Sequence, residues 1–303
     1  MKKDFVSIAD LSADEVWNLL HTAKEIKAKT QKGEPHTPLA GQTLTMIFQK
    51  PSLRTRVSFE VGMYQLGGTA LYLSPNEIRI GERESVADVA RVLSRYCNGL
   101  MARLFAHSHM LELARYATVP VINGLDDLFH PCQVMGDILT IWEHRETLDD
   151  LKVAWVGDGN NVANSWINLA SKIPMVLHLA VPEGYDPDPD VLKTAEHCGT
   201  SEIRVLHDPQ EAVKGADVIY TDVWTSMGHE AEQEERAARF QDFQVNDRLV
   251  GLARKGVKVM HCLPAHRGEE ITDEVMDGPH SIVFDQAENR LHIQKAIMAI
   301  LMG

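Results

Sequence analysis

The stretch that most constrains this chain is Ser52-Leu53-Arg54-Thr55-Arg56. It follows the apolar run Thr43 to Phe48, which reads as a buried strand, and precedes Val57 to Leu66, whose apolar residues have helical spacing. The five residues therefore occupy a strand-to-helix turn, where the first backbone N–H groups of a helix are unpaired and carry the positive end of its dipole. Two hydroxyls and two guanidinium groups at such a turn predict an oxyanion cradle, since planar forks match phosphate oxygens bidentately. Taken alone, Ser52 could equally be an ordinary N-cap, with Arg54 and Arg56 as solvated charges. The turn is not a Walker A loop, because the Gly-rich lead-in and the Gly-Lys-Ser/Thr ending are both missing.

At 303 residues the chain has room for two domains of ordinary size. Its net charge of −13 is unevenly shared: residues 1–150 carry 16 basic and 19 acidic side chains, and residues 151–303 carry 14 and 24. An acidic chain without a basic stripe is a poor match for nucleic acid or an anionic membrane, so neither is expected as a partner. No apolar run approaches the roughly 20 residues of a membrane span, and the start has no signal-peptide core. Cys97, Cys132, Cys198 and Cys262 form no CxxC pair, which argues against a structural zinc site or a disulfide framework. A cytoplasmic location is the expectation.

Ser12 with Glu15 three residues later is a capping-box signal for a helix over 11–30. After the anion turn come a strand (Thr69 to Leu73) and a polar loop, Ser74 to Ser85, too long and too charged for a simple connector. A helix (Val86 to Tyr96), a strand (Gly99 to Phe105), a helix (Met110 to Tyr116) and a strand (Val119 to Asn123) follow. This alternation implies right-handed βαβ units and a parallel sheet. Arg103 lies near the C-terminal end of its strand, and His130-Pro131-Cys132-Gln133 just beyond the next, the edge where open α/β sheets bind ligands.

A charged stretch near Glu143 to Asp150 marks the domain junction, and a second alternating set begins at Val153. Gly157-Asp158-Gly159 resembles part of a dinucleotide fingerprint, but Val162 stands where the third glycine should fall and no ribose-binding acid follows the strand His178 to Val181, so NAD is not expected. Later strands are Ile203 to Leu206, Asp217 to Thr221 ending at Asp222, Val257 to Met260 ending in His261-Cys262-Leu263-Pro264-Ala265-His266-Arg267-Gly268, and Ser281 to Phe284 leading to Arg290. An acidic helix is expected over Glu230 to Phe240, and a helix closes the chain. His261, Cys262 and His266 fit no familiar zinc spacing, so no metal and no other cofactor is expected.

Taken together, SLRTR, HPCQ, SMG after an aspartate, and HCLPAHRG resemble the motifs of the aspartate/ornithine carbamoyltransferase family, in family order and along essentially the whole chain. The resemblance implies an α/β fold of two doubly wound parallel-sheet domains with the active site in the cleft between them. A carbamoyl-phosphate-binding domain over 1–145, completed by the C-terminal helix 286–303, would join an ornithine-binding domain over 146–285. It implies a carbamoyltransferase making L-citrulline and phosphate from carbamoyl phosphate and L-ornithine, for arginine biosynthesis or ornithine/citrulline metabolism. A homotrimer or an assembly of trimers is implied as well.

By the same resemblance, Ser52, Leu53, Arg54 and Thr55 hold the phosphate, Arg103 bridges phosphate and carbonyl, and His130 and Gln133 meet the carbamoyl group. Cys262, Leu263 and Arg290 line the reaction centre, and Asn161, Asp222, Ser226 and Met227 receive the amino-acid end of ornithine. Arg54, Arg103, His130, Cys262 and Arg290 are the catalytic candidates. One position departs from the family: where its long loop offers a glutamine to the carbamoyl phosphate of a neighbouring subunit, this chain has Arg79. Each of these residues has a plainer reading, Cys262 as an inert thiol, His130 as a core histidine, Asn160 or Asn161 as a helix cap. An aspartate carbamoyltransferase would need guanidinium groups for a second carboxylate, and a putrescine or N-acetylornithine transferase would leave Asp222 without an α-ammonium partner. A non-catalytic carbamoyl-phosphate binder would be expected to have lost Arg103, His130 or Cys262.

Overall fold

Thr43–Phe48 forms strand β1, and five of its six residues are buried, as expected of a strand covered on both faces of a parallel sheet. A computed structural model describes residues 4–81, 83–225 and 232–303 of the chain. With β2 (Thr69–Leu73), β3 (Gly99–Arg103) and β4 (Val121–Leu125), β1 makes a parallel sheet in the order β2-β1-β3-β4. A second parallel sheet has the order β7-β6-β5-β8-β9, from β5 (Lys152–Val156), β6 (Val176–Ala180), β7 (Glu202–Leu206), β8 (Val218–Thr221) and β9 (Lys258–His261). Each sheet is doubly wound: the order reverses beside β1 in the first and beside β5 in the second, which creates the switch points β1/β3 and β5/β8. The edge strands β2 and β7 show the alternating exposure of half-covered strands.

The chain divides into two units, Met1–Thr140 with Glu288–Gly303, and Ile141–Ala287. The divisions fall inside the helices Pro131–Arg145 and Val283–Met302. The sequence-based junctions at 145/146 and 285/286 lie a few residues away, because a continuous helix offers no loop composition to mark a boundary.

In the first unit, helix Ala13–Gln31 opens with the expected capping box, Glu15 N donating to Ser12 Oγ at 3.2 Å and Ser12 N to Glu15 Oε2 at 2.8 Å, an arrangement worth about 1 kcal/mol. The closing helix is laid along it by polar ties, Lys27 Nζ to Asn289 Oδ1 at 2.8 Å and Lys295 Nζ to Thr30 Oγ1 at 2.7 Å. Lys295 also donates to Gln65 Oε1 at 2.7 Å, and burial pushes its ammonium down to about 8. In the second unit, Trp155 stacks on Tyr220 at a ring separation of 5.1 Å across the β5/β8 pair. The expected strand over Ser281 to Phe284 does not form: Ser281 makes a single bridge to Val259, and the helix Val283–Met302 begins at once. The expected helix over Glu230 to Phe240 is described as Gln233–Phe240, with Glu234 and Glu235 exposed and Arg236 buried on the opposite side.

Candidate active site

The first cluster is built where β1, β3 and β4 end. Ser52 caps the helix Leu53–Gln65 in extended backbone, its Oγ accepting from Thr55 N at 3.3 Å, and the helix has no acidic residue in its first turn to compete for an anion. Arg103 is the last residue of β3, paired in register with Phe48. A β-bulge shifts the β3/β4 register at that point, so that Ala102 faces Asn123 but Arg103 faces Leu125. The residue passed over is Gly124, where a Cβ would stand 2.6 Å from Met101 Sδ and 3.1 Å from Ala102 O, so a side chain there would press on Met101 and the β3 backbone. Just past β4, His130 O accepts the Gln133 N–H at 3.1 Å as the helix Pro131–Arg145 starts, with proline in the first helical position, where no N–H is missed.

Three guanidinium groups converge on His130. Burial holds its imidazole well below the usual histidine range, and the charges of Arg290, Arg103 and Arg54 push it further in the same direction. The ring is thus neutral at pH 7, a hydrogen-bonding group set among cations. Arg290, from the closing helix, donates from Nη2 to Thr55 Oγ1 at 2.9 Å, and Ser52 Oγ lies 3.1 Å from the same oxygen. Leu53 is exposed beside them. Such a cluster of positive charge, with Arg103 and Arg290 buried and Arg54 half-buried, is suited to a compact, multiply charged anion with a carbonyl attached.

Arg56 corrects the expectation that both arginines of the turn face the anion. Its Nε pairs with Glu60 one turn on, at 3.0 Å, and its guanidinium lies 3.9 Å from the centre of the Tyr72 ring. Cys132 is also outside the chemistry: burial pushes its thiol up to about 12, and Sγ donates to Asn123 O at 3.3 Å. Gln133 is buried, donating from Nε2 to Asp137 Oδ1 at 2.8 Å, while its Oε1 accepts no hydrogen bond among the described residues. Arg79 is exposed at the end of the short helix Pro75–Ile78, with φ of 40°. The loop behind it is anchored by Gln49, which donates to Ile80 O at 3.0 Å and accepts from Phe105 N at 2.8 Å.

The second cluster occupies the β5/β8 switch point. Asp222 follows β8 and is buried; its Oδ2 accepts from Asn160 Nδ2 at 2.8 Å, and its Oδ1 accepts from Cys262 Sγ at 2.8 Å and from Val223 N at 2.8 Å. Asn160 also caps the helix Asn161–Ala170 through Val162 N and Ala163 N. Asn161, the residue singled out in the sequence, is the first of that helix. Ser226 and Met227 lie outside the described residues.

Cys262 and Leu263 follow β9. His261 Nδ1 accepts the Leu263 N–H at 2.8 Å, so its proton is on Nε2, which donates to the buried Glu270 Oε1 at 3.0 Å. Leu263 is thereby held at φ 60°, a left-handed conformation costing about 1–2 kcal/mol for a residue with a side chain. Donor atoms of Asp222, His261 and Cys262 lie within 4.8 Å of one another. Both ring nitrogens of His261 are nonetheless committed to hydrogen bonds, which fits a positioning network better than a metal-ligand set. The Gly157-Asp158-Gly159 turn is shaped by close packing, since a Cβ on Gly159 would collide with the backbone of Asp186 and Pro187. Asp158 in that turn accepts from Arg236 Nη1 at 2.8 Å.

An anion cradle at one parallel-sheet edge and a carboxylate–amide–thiol cluster at another equip an α/β group-transfer enzyme that uses a phosphorylated donor. The carbamoyl-P binding domain of the aspartate/ornithine carbamoyltransferase family matches residues 3–143, and the Asp/Orn binding domain of that family matches residues 149–301. The ornithine carbamoyltransferase of Syntrophus aciditrophicus is 55% identical over 302 residues, covering 100% of both chains. The solved ornithine carbamoyltransferase of Pyrococcus furiosus superposes with a TM-score of 0.96 at 54% identity, covering 99% of this chain and 97% of that one. The anabolic ornithine carbamoyltransferase of Campylobacter jejuni gives 0.94 at 38%, covering 99% of each. This chain belongs to the aspartate/ornithine carbamoyltransferase family.

Proposed function

We propose that the protein transfers the carbamoyl group of carbamoyl phosphate to the δ-amine of L-ornithine, giving L-citrulline and phosphate. The observation that carries the donor half is the convergence of Arg54, Arg103 and Arg290 on the neutral His130, beside the helix start at Ser52. Ser52, Leu53, Arg54 and Thr55 hold the phosphate, Arg103 spans phosphate and carbonyl oxygen, His130 donates to the carbonyl, and Gln133 takes the carbamoyl NH2. Cys262, Leu263 and Arg290 line the reacting carbon. Asn161 and Asp222, with Ser226 and Met227, receive the α-amino-acid end of ornithine.

The δ-amine attacks the carbamoyl carbon, the tetrahedral oxyanion is stabilised by Arg54, Arg103, His130 and Arg290, and phosphate leaves. Each such donor is worth about 2–4 kcal/mol of barrier. With a lysine-like pKa near 10.4, on the order of one amine in a thousand is neutral near pH 7, so the amine must lose a proton before attack. The bound phosphate takes that proton while Asp222 and Cys262 hold the zwitterion, and as it departs it takes the second proton that the attacking nitrogen sheds. No covalent enzyme intermediate is needed.

Relatives at 54–55% identity named as ornithine carbamoyltransferases support ornithine as the acceptor, and the anabolic Campylobacter jejuni protein supports a role in arginine biosynthesis. Self-association as a homotrimer is part of the same reading, and the exposed Val57 and Tyr64 on the helix Leu53–Gln65 are apolar surface available to it. Four unbridged cysteines support a cytoplasmic setting, and no helix among the described residues is long and apolar enough to cross a membrane.

The test is citrulline formation from carbamoyl phosphate with ornithine, run beside aspartate, putrescine and N-acetylornithine. Turnover with ornithine alone is expected. Turnover with another acceptor would overturn the assignment of Asp222 and the second unit, and no turnover with any would leave a carbamoyl-phosphate binder.

A further inference from the structure

Gln133 and Asp137 stand one turn apart on the helix Pro131–Arg145, and both are fully enclosed, at 1% and 0% exposure. Gln133 donates from Nε2 to Asp137 Oδ1 at 2.8 Å. With Asp137 ionised its oxygens only accept, so the NH2 side of the Gln133 amide faces Asp137 and the carbonyl side faces away from it. That carbonyl oxygen, Oε1, is buried and accepts no hydrogen bond among the described residues. A buried acceptor without a donor is costly unless a ligand supplies one.

We propose that Asp137 is a positioning residue that makes the donor site specific for a carbamoyl over an acyl group, by fixing the Gln133 amide so that Oε1 meets the ligand NH2. The inference rests on the reading that Gln133 takes the carbamoyl NH2. A phosphorylated ligand with CH3 in place of NH2 leaves Oε1 unsatisfied and is discriminated against. Replacing Asp137 by a residue that can both donate and accept removes the constraint, because the flipped amide is then equally well bonded.

The experiment compares two stable ligands of the full-length enzyme by calorimetry, phosphonoacetamide and 2-oxopropylphosphonate, which differ only in NH2 against CH3, with inorganic phosphate as the common reference. The expected preference of the wild type for the amide is about 10–100-fold, the range set by one buried unsatisfied acceptor. Asp137→Asn is expected to lose most of that preference while binding 2-oxopropylphosphonate and phosphate as the wild type does, and Gln133→Ala to lose it to the same extent, with no further loss in the double variant. Asp137→Ser is the alternative should the asparagine variant fail to fold. Retention of the preference in the Asp137 variants, or an equal weakening of all three ligands, would overturn the inference while loss in Gln133→Ala keeps the reading of Gln133. Retention in Gln133→Ala would overturn both.

Discussion

Asn160 donates from Nδ2 to Asp222 Oδ2 at 2.8 Å, joining the helix start after β5 to the end of β8 across the switch point of the second sheet. The same asparagine caps its helix through Oδ1, so one side chain uses both ends of its amide, one for backbone and one for the carboxylate. Asp222 is in this way oriented by Asn160 on one oxygen and by Cys262 on the other.

Asn160→Ala is expected to lower kcat/KM for ornithine about tenfold through the loosened carboxylate, together with roughly 1 kcal/mol of stability through the lost cap. Steady-state kinetics beside thermal melts separate the two effects. A fall in melting temperature with unchanged kcat/KM would reduce Asn160 to a cap alone.

Cys262→Ala removes the thiol that donates to Asp222 and is expected to cost about 10–100-fold in kcat/KM for ornithine, with Cys262→Ser recovering part of it because a hydroxyl donates to the same oxygen. Full turnover and an unchanged pH profile in the serine variant would rule out a special role for sulfur.

Arg79 is exposed on a loop whose base is fixed by Gln49. If it reaches the carbamoyl phosphate of a neighbouring subunit, the wild type binds that substrate more tightly than Arg79→Gln, and its affinity falls more steeply with ionic strength, since an exposed charge is screened over about 10 Å at 0.1 M salt. Titrations at several salt concentrations measure the two slopes, and identical slopes would exclude the contact.

Lys295 is read out in stability. Its folded-state value of about 8 lies below the ordinary lysine value, so between these the unfolded chain binds more protons than the folded one, and the contribution of this group to stability rises with pH through that window. Below about pH 8 the buried charge is a cost. Lys295→Met is therefore expected to gain relative stability at pH 7 and lose that gain by pH 10, after allowance for its lost bonds to Thr30 and Gln65. Denaturant melts of both proteins at the two pH values give the comparison, and a difference that does not vary with pH would contradict the assignment.

The sequence by itself determined the elements and the edge on which the chemistry lies. Continuous apolar runs such as Thr43 to Phe48 can only be buried parallel strands when helices alternate with them, and parallel strands carry the residues just beyond them, among them Ser52, Arg103, His130, Asp222 and Cys262, to the C-terminal edge of the sheet. The capping box at Ser12 and the helix start at Ser52 were readable for the same reason: both are local, set by residues three apart. Pairings between distant segments were decided only by the tertiary structure. Arg290 meets Thr55 across 235 residues, Asn160 rather than Asn161 meets Asp222 across 62, and Arg56 is drawn off by Tyr72 of the neighbouring strand. Periodicity says which face a side chain is on, but not which partner packs there, since that depends on how elements far apart in the chain are brought together. Asp137 lies between these cases: its spacing from Gln133 is the i, i+4 of a helix, but that the pair is buried, with one amide oxygen left for a ligand, comes only from the packing around it.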